Sequence, residues 1–275
     1  MVTDLFKELQ QLMIKERFLP SKNFSQNFMV NQEIIDLIVF HAKLKKTDVV
    51  LEIGPGVGFL TQVLVKKCRV VAVEADQKMS EILSNRIKNS NLSLIEGDFL
   101  KLDLPEFNKV VSLPPYSISS PLMHRLLLLG FDSAYLVFQK EFTEKLVAEP
   151  GFYEYGAISV ITQYYCKPKI LIEQVKSSYF YPKPKSISSL VELKYKKRFG
   201  EVRNEELFVK FISTIFRYKK KNLRNAVINS YNLLQKDLKS TKEKFASKVD
   251  SLELAGEKVN LIEVEEFVEI FNELF

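Results

Sequence analysis

VVLEIGPGVGFL, residues 49–60, joins a short apolar strand to a glycine turn and then to the apolar start of a helix. Gly54, Gly56 and Gly58 let the backbone turn tightly and come close to a ligand, while the first amides of the following helix offer donors and a partial positive charge. A strand, glycine turn and helix in this order make a cradle for a small molecule, most often a nucleotide. The dinucleotide fingerprint G-x-G-x-x-G needs a third glycine where this chain carries Phe59, so that reading fails. The pattern that remains is Glu52-x-Gly54-x-Gly56-x-Gly58.

The chain around the cradle has 275 residues, enough for one larger and one smaller domain. Hydrophobic residues make up 46% and charged residues 27%, ordinary globular values, and no apolar run reaches the roughly 18 residues of a membrane span. The opening residues are amphipathic and of mixed charge, unlike a signal peptide, so a cytoplasmic protein is expected. Cys68 and Cys166 are far apart and alone, which fits reduced thiols packed in a core. His41 and His124 are the only histidines, and no metal-ligand spacing exists.

The net charge of +6 is local. Residues 183–225 hold thirteen Lys or Arg against four Asp or Glu, a balance of +9, so the rest of the chain sums to −3. A basic segment beside a candidate catalytic domain points to a polyanion.

In chain order, residues 1–20 read as a helix with Leu5, Leu9, Leu12 and Met13 on one face, ended by Pro20. A second helix is expected from Asn31 to Lys43, with an apolar face of Ile34, Ile35, Leu37, Ile38 and Phe40. After the cradle come a helix over 59–67, a strand from Arg69 to Val73 ending at Glu74, a helix over 77–88, a strand from Leu92 to Ile95 closed by Gly97-Asp98-Phe99, and a strand from Lys109 to Ser112. Ligands of an open α/β sheet lie outside the carboxyl ends of its strands, so Glu52, Glu74 and Asp98 should share one edge. Glu74, twenty positions after Gly54, is placed for ribose hydroxyls. At the next strand end, Leu113-Pro114-Pro115-Tyr116 offers a stiff backbone with carbonyls exposed and an aromatic ring to cover a flat base or a cation.

Together, QNFM (26–29), LEIGPGVG (51–58), VEAD (73–76), EGDFL (96–100), LPPYSISSP (113–121), YGAISV (155–160), FYPKPKS (180–186) and RYKKKNLRN (217–225) resemble, in this order, the S-adenosylmethionine (SAM)-dependent ribosomal RNA adenine dimethyltransferase family. The resemblance covers about residues 24–230. It implies a doubly wound, Rossmann-like α/β sheet of seven mostly parallel strands with a small helical C-terminal domain, the two joined at Lys197 to Arg203. The expected domains are an N-terminal helical extension over 1–23, the methyltransferase domain over 24–196, and an RNA-binding helical domain over 197–275.

The resemblance further implies a SAM site made by Gln26, Asn27, Met29, Gly54, Gly56, Glu74, Asp98, Phe99 and Leu113, and a catalytic loop of Leu113, Pro114, Pro115 and Tyr116. RNA contacts are expected at Lys183, Lys185, Arg217, Lys219, Lys220, Lys221 and Arg224. The implied reaction is N6-methylation, to the dimethyl level, of adenines in small-subunit rRNA during ribosome assembly, by a monomer that uses neither metal nor membrane. One position departs from the pattern: the family has Asn-Leu-Pro-Tyr, and Leu113 stands where the Asn is expected. The neighbouring Ser112, on a strand end, should point to the other face. The departure leaves open a methylation-impaired assembly factor that binds the same RNA. A large-subunit rRNA adenine methyltransferase is the remaining alternative.

Overall fold

The computed structural model describes residues 4–196, 202–236 and 241–275. The chain falls into two compact units, Met1–Thr143 with Pro168–Tyr195, and Glu144–Lys167 with Lys196–Phe275. Of the expected junction, residues 197–201 lie outside the described residues, as do residues 1–3 of the N-terminal extension.

The first unit opens with helix α1, Leu5–Glu16, capped by Asp4 and ended by Arg17 in the left-handed conformation. Leu5 and Leu9 are buried, and Leu12 and Met13 pack against the same core. Strand β1 is Phe28–Met29, and α2 is Gln32–Ala42, whose N-cap Asn31 accepts from the Ile34 amide at 3.0 Å. The buried stripe of α2 is Ile34, Ile35, Ile38, Val39 and Ala42. Leu37 and Phe40, expected on that face, are 42% and 72% exposed, because the buried positions follow one helical stripe and these two fall outside it.

Strand β2, Val49–Ile53, leads through the glycine turn to α3, Thr61–Leu64. That helix is one turn where a longer one was expected: the Lys67 and Cys68 amides fold back onto the Leu64 carbonyl and redirect the chain into β3, Arg69–Glu74. Then follow α4 (Gln77–Arg86), β4 (Leu92–Glu96), β5 (Lys109–Ser112), α5 (Ser119–Leu129), β6 (Ser133–Gln139) and α6 (Lys140–Val147). Strand β7 is Cys166–Val175, β8 is Phe180–Tyr181 and β9 is Ser188–Tyr195.

The main sheet has seven strands in the order β4-β3-β2-β5-β6-β9-β7. Strands β2 to β6 are parallel to their neighbours, and β9 runs antiparallel to β6. The order reverses beside β2, where a doubly wound sheet opens a crevice. The register aligns Ile53 with Val73 and Glu74 with Glu96, which brings the carboxyl ends of β2, β3 and β4 to one edge. Cys68 and Cys166 are buried free thiols, and burial pushes them up to about 11 and about 12.

In the second unit, α7 (Ala157–Tyr165), α8 (Glu205–Ile215), α9 (Leu223–Leu234), α10 (Lys242–Asp250) and α11 (Val264–Leu274) pack around an aromatic core. Phe208, Phe211, Phe245, Phe267 and Phe271 are fully buried, and Tyr164 meets Phe208 at 4.8 Å between ring centres. Among the described residues no helix is long and apolar enough to cross a membrane.

Candidate active site

An open cleft lies at the carboxyl ends of β2, β3, β4 and β5. Every residue that the sequence assigned to the cofactor or the chemistry lines it: Gln26, Asn27, Met29, Gly54, Gly56, Glu74, Asp98, Phe99, Leu113, Pro114, Pro115 and Tyr116.

The glycine turn is held by the strand beside it. The Gly54 amide donates to the Val73 carbonyl at 2.8 Å and the Gly56 amide to Glu74 Oε2 at 2.9 Å, while Glu74 Oε1 accepts from the Asp76 amide at 3.0 Å. Both glycines have left-handed φ angles, +69° and +57°. A Cβ on Gly54 would stand 3.0 Å from Pro115, and one on Gly56 would stand 2.9 Å from the Phe28 ring. The turn therefore fits against the Leu113–Tyr116 loop on one side and β1 on the other only while it lacks side chains. Burial pushes the Glu74 carboxyl above the usual carboxylate range, and the amides of Asp76 and Gly56 pull it back.

Glu52 is 2% exposed, and its Oε2 has no hydrogen-bond partner among the described residues. Burial, reinforced by the charge of Glu74, pushes its carboxyl up to about 8, so the acid is largely neutral near pH 7. Glu52 lines the cleft, and a neutral carboxyl there can both donate and accept.

Not every assigned side chain is free to reach a ligand. Gln26 donates to Asp76 Oδ2 at 2.7 Å and accepts from the Ser21 amide at 2.8 Å, and Asn27 donates to the Ser25 carbonyl at 2.9 Å. Their amides shape the wall of the cleft. Asp98 accepts from the Leu100 amide at 3.0 Å and stands 3.6 Å from the Lys101 ammonium. Phe99 is buried, with the Arg125 guanidinium 5.5 Å from its ring centre.

In the loop after β5, Tyr116–Ile118 forms a short 3-10 turn that runs into α5. The carbonyl of Pro115, expected to stand exposed, accepts from the Ile118 amide at 3.2 Å, because a 3-10 turn consumes the acceptor three residues back. Leu113 is half-buried and packs against the main core. Ser112 does not line the cleft: its hydroxyl donates to the Ile53 carbonyl at 2.6 Å and accepts from the Ile53 amide at 3.2 Å. The Tyr116 phenol meets the Ser188 hydroxyl at 2.6 Å, and burial raises its pKa, keeping it neutral.

Two features had no legible signal. Ser188, the partner that fixes the Tyr116 ring, lies on β9, 72 residues away. Arg86 donates to the Val57 carbonyl in the glycine turn, pairs with Glu8 of α1, and sits 4.8 Å over the Phe59 ring. Phe180 of the FYPKPKS motif also lines the cleft.

Of the residues assigned to RNA, Lys183, Lys185, Arg217, Lys220 and Lys221 are exposed. Two are occupied. The Lys219 ammonium donates to the carbonyls of Tyr153 and Tyr155 at 2.8 and 3.3 Å, and the Arg224 guanidinium is paired with Asp250. Among the described residues no cluster of His, Cys, Asp and Glu could hold a metal ion.

A sequence profile of the family described as ribosomal RNA adenine dimethylase matches residues 18–274. The chain is 34% identical over 268 residues to the probable ribosomal RNA small subunit methyltransferase A of Thermococcus sibiricus, covering 97% of this chain and 96% of the relative. It is 37% identical over 264 residues to the protein of the same name from Pyrococcus furiosus, covering 93% and 94%. A solved dimethyladenosine transferase from Plasmodium falciparum aligns with a TM-score of 0.75 and 29% identity over 87% of this chain and 94% of that one. A profile match over almost the whole length and relatives above 30% identity agree with the glycine cradle, the acidic strand ends and the Tyr116 loop: the chain belongs to the ribosomal RNA adenine dimethylase family.

Proposed function

We propose that the cleft binds SAM and that the enzyme transfers methyl groups to N6 of adenines in small-subunit rRNA, to the dimethyl level, on the immature subunit. The observation that carries this reading is the meeting of two loops. Gly54 of the nucleoside cradle abuts Pro115 of the Tyr116 loop, so a cofactor in the first is beside a base covered by the second. The relatives with full-length matches carry small-subunit names, which disfavours the large-subunit alternative.

The residues fit the cofactor. In this reading Glu74 accepts from ribose hydroxyls while holding the Gly56 amide, and Asp98, which lines the same cleft, takes the adenine end. Bound SAM supplies an electrophilic methyl on a sulfonium, so the chain has to position the target and need not activate a nucleophile of its own. An exocyclic adenine amine is a weak nucleophile because its lone pair is delocalised into the ring. In this reading the Pro114 carbonyl, in the loop that lines the cleft, accepts an amine proton and biases the nitrogen toward tetrahedral geometry, and the Tyr116 ring, bonded to Ser188, gives the extruded base a face to stack on. No acid or base with a neutral pKa is required.

Nucleoside mass spectrometry of rRNA from cells with and without this protein tests the reading. N6-methylated adenines should disappear from the small subunit alone when the protein is absent. Unchanged small-subunit methylation would reject it.

A further inference from the structure

The loop of residues 149–155, EPGFYEY, leaves two large rings in water: Phe152 is 60% exposed and Tyr153 is 84% exposed. The loop is fixed in place. The Gly151 amide donates to the Asn260 carbonyl at 2.8 Å, the Asn260 amide donates to the Lys219 carbonyl at 3.1 Å, and the Lys219 ammonium returns to the carbonyls of Tyr153 and Tyr155. Below it, Tyr155 is fully buried, its hydroxyl donating to the Ile262 carbonyl at 2.9 Å and its ring 5.7 Å from that of Phe216. Three segments of the second unit are thus closed into one ring of bonds: 149–155, 216–221 and 258–262.

Together these segments present the rings of Phe152 and Tyr153, the half-exposed Leu261, and the exposed cations of Arg217, Lys220, Lys221 and Lys258. The Lys219 ammonium lies 5.2 Å from the centre of the Tyr153 ring, and Lys221 lies 5.3 Å from that of Tyr218. Acidic groups adjoin them: Glu144, Glu149 and Glu154 line a shallow hollow beside Phe152, and Glu257 is exposed next to Lys258.

We propose that Phe152 and Tyr153 form a stacking platform for unpaired bases of single-stranded RNA, with Arg217, Lys220 and Lys221 taking the adjoining phosphates. The proposal rests on the RNA reading of the preceding section and adds a subsite to it. Aromatic faces beside cations are what single-strand binding requires, because every base has a π-face and every nucleotide a phosphate. The carboxylates set direction: phosphates are repelled from the Glu149 and Glu154 side and drawn to the lysine side, while exocyclic amines on the stacked bases have acceptors there. Two rings and one leucine broken up by charge make a poor seat for an apolar protein surface. Lys219 is the fastener of the platform, since its ammonium is spent on two carbonyls.

The test uses the full-length protein and two probes, a short oligoadenylate carrying one 2-aminopurine and an RNA duplex of equal length, with immature small subunits as a third. Stacking quenches the 2-aminopurine, so binding of the oligoadenylate should quench it. Phe152→Ala/Tyr153→Ala should abolish the quenching and weaken the oligoadenylate about 5- to 150-fold for each base that no longer stacks. Duplex affinity, the salt slope, the melting temperature and SAM binding should not change, because the two rings are exposed and uncharged. Phe152→Tyr/Tyr153→Phe should keep the quenching. Failure of the wild-type protein to quench the probe would overturn the proposal, as would equal quenching and affinity in the alanine variant. A loss confined to the subunits, with the oligoadenylate unaffected, would assign the rings to a ribosomal protein and also overturn it. Methyl transfer and SAM binding are read separately, so failure of the platform leaves the proposed activity standing.

Discussion

At Leu113 the cleft presents an isobutyl chain where the family pattern has a carboxamide, and the neighbouring Ser112 does not replace the missing side-chain acceptor, because its hydroxyl is spent on the backbone of Ile53. Leu113→Asn should therefore raise the single-turnover methylation rate. A well-placed transition-state hydrogen bond is worth about 2.7 to 4 kcal/mol, and a partly aligned one should still be visible, although the half-buried leucine gives up apolar packing in exchange. An equal or lower rate, with SAM and RNA binding intact, would show that the loop has readjusted around leucine. Glu52 makes a second residue-level prediction. The native state holds its proton up to about pH 8, whereas the unfolded chain releases it near the ordinary glutamate value of 4.5. Between those values the native protein binds more protons, so this group makes stability fall as pH rises. Glu52→Gln has no proton to lose, and its melting temperature should decline less than the wild type's from pH 5 to pH 8; parallel curves would contradict the assignment. Residue positions were legible where a motif fixed them to a strand end, as with Glu74 and Asp98. Ser188 and Arg86 were not, because their partners lie 72 and 29 residues away and only folding brings them together.

At the level of elements, α1 is coupled to the glycine turn. Arg86, on α4, ties Glu8 of α1 to the Val57 carbonyl and covers Phe59, so the helix before the cradle steadies the cradle itself. Arg86→Leu should weaken SAM binding by about 1 to 2 kcal/mol in calorimetry, within the range of a charge-assisted hydrogen bond, although Arg86 is not among the residues lining the cleft. Unaltered affinity would show that the turn is rigid without it. Apolar runs and periodicity located α1, α2, α4 and the strands β2 to β5, whereas β6 to β9 were not read individually. Periodicity overreached at α3, where the chain needs one turn of helix before re-entering the sheet, and at Leu37 and Phe40, where apolar character did not coincide with the buried stripe.

At the scale of the molecule, charge patterning marked a basic segment but could not say which cations were spoken for. Lys219 and Arg224 are already paired within the second unit, so the electrostatic prediction is placed on the exposed Lys220 and Lys221: Lys220→Gln/Lys221→Gln should flatten the dependence of RNA affinity on salt by a slope of about one for each phosphate no longer neutralised. An unchanged slope would make them a solvated face. Four strands of the sheet were legible from their end motifs and the full seven only through the family resemblance; the inclusion of residues 144–167 in the second unit was not legible, since the chain leaves the first unit and returns to it. The central claim is that this cleft, with leucine in place of the amide, still methylates adenine. Single-turnover reaction of the purified protein with SAM and immature small subunits, followed by nucleoside analysis of the rRNA, tests it most directly. N6-methylated and then N6,N6-dimethylated adenosine should appear in the small-subunit rRNA, and binding of both SAM and subunit without any methylated adenosine would contradict the claim.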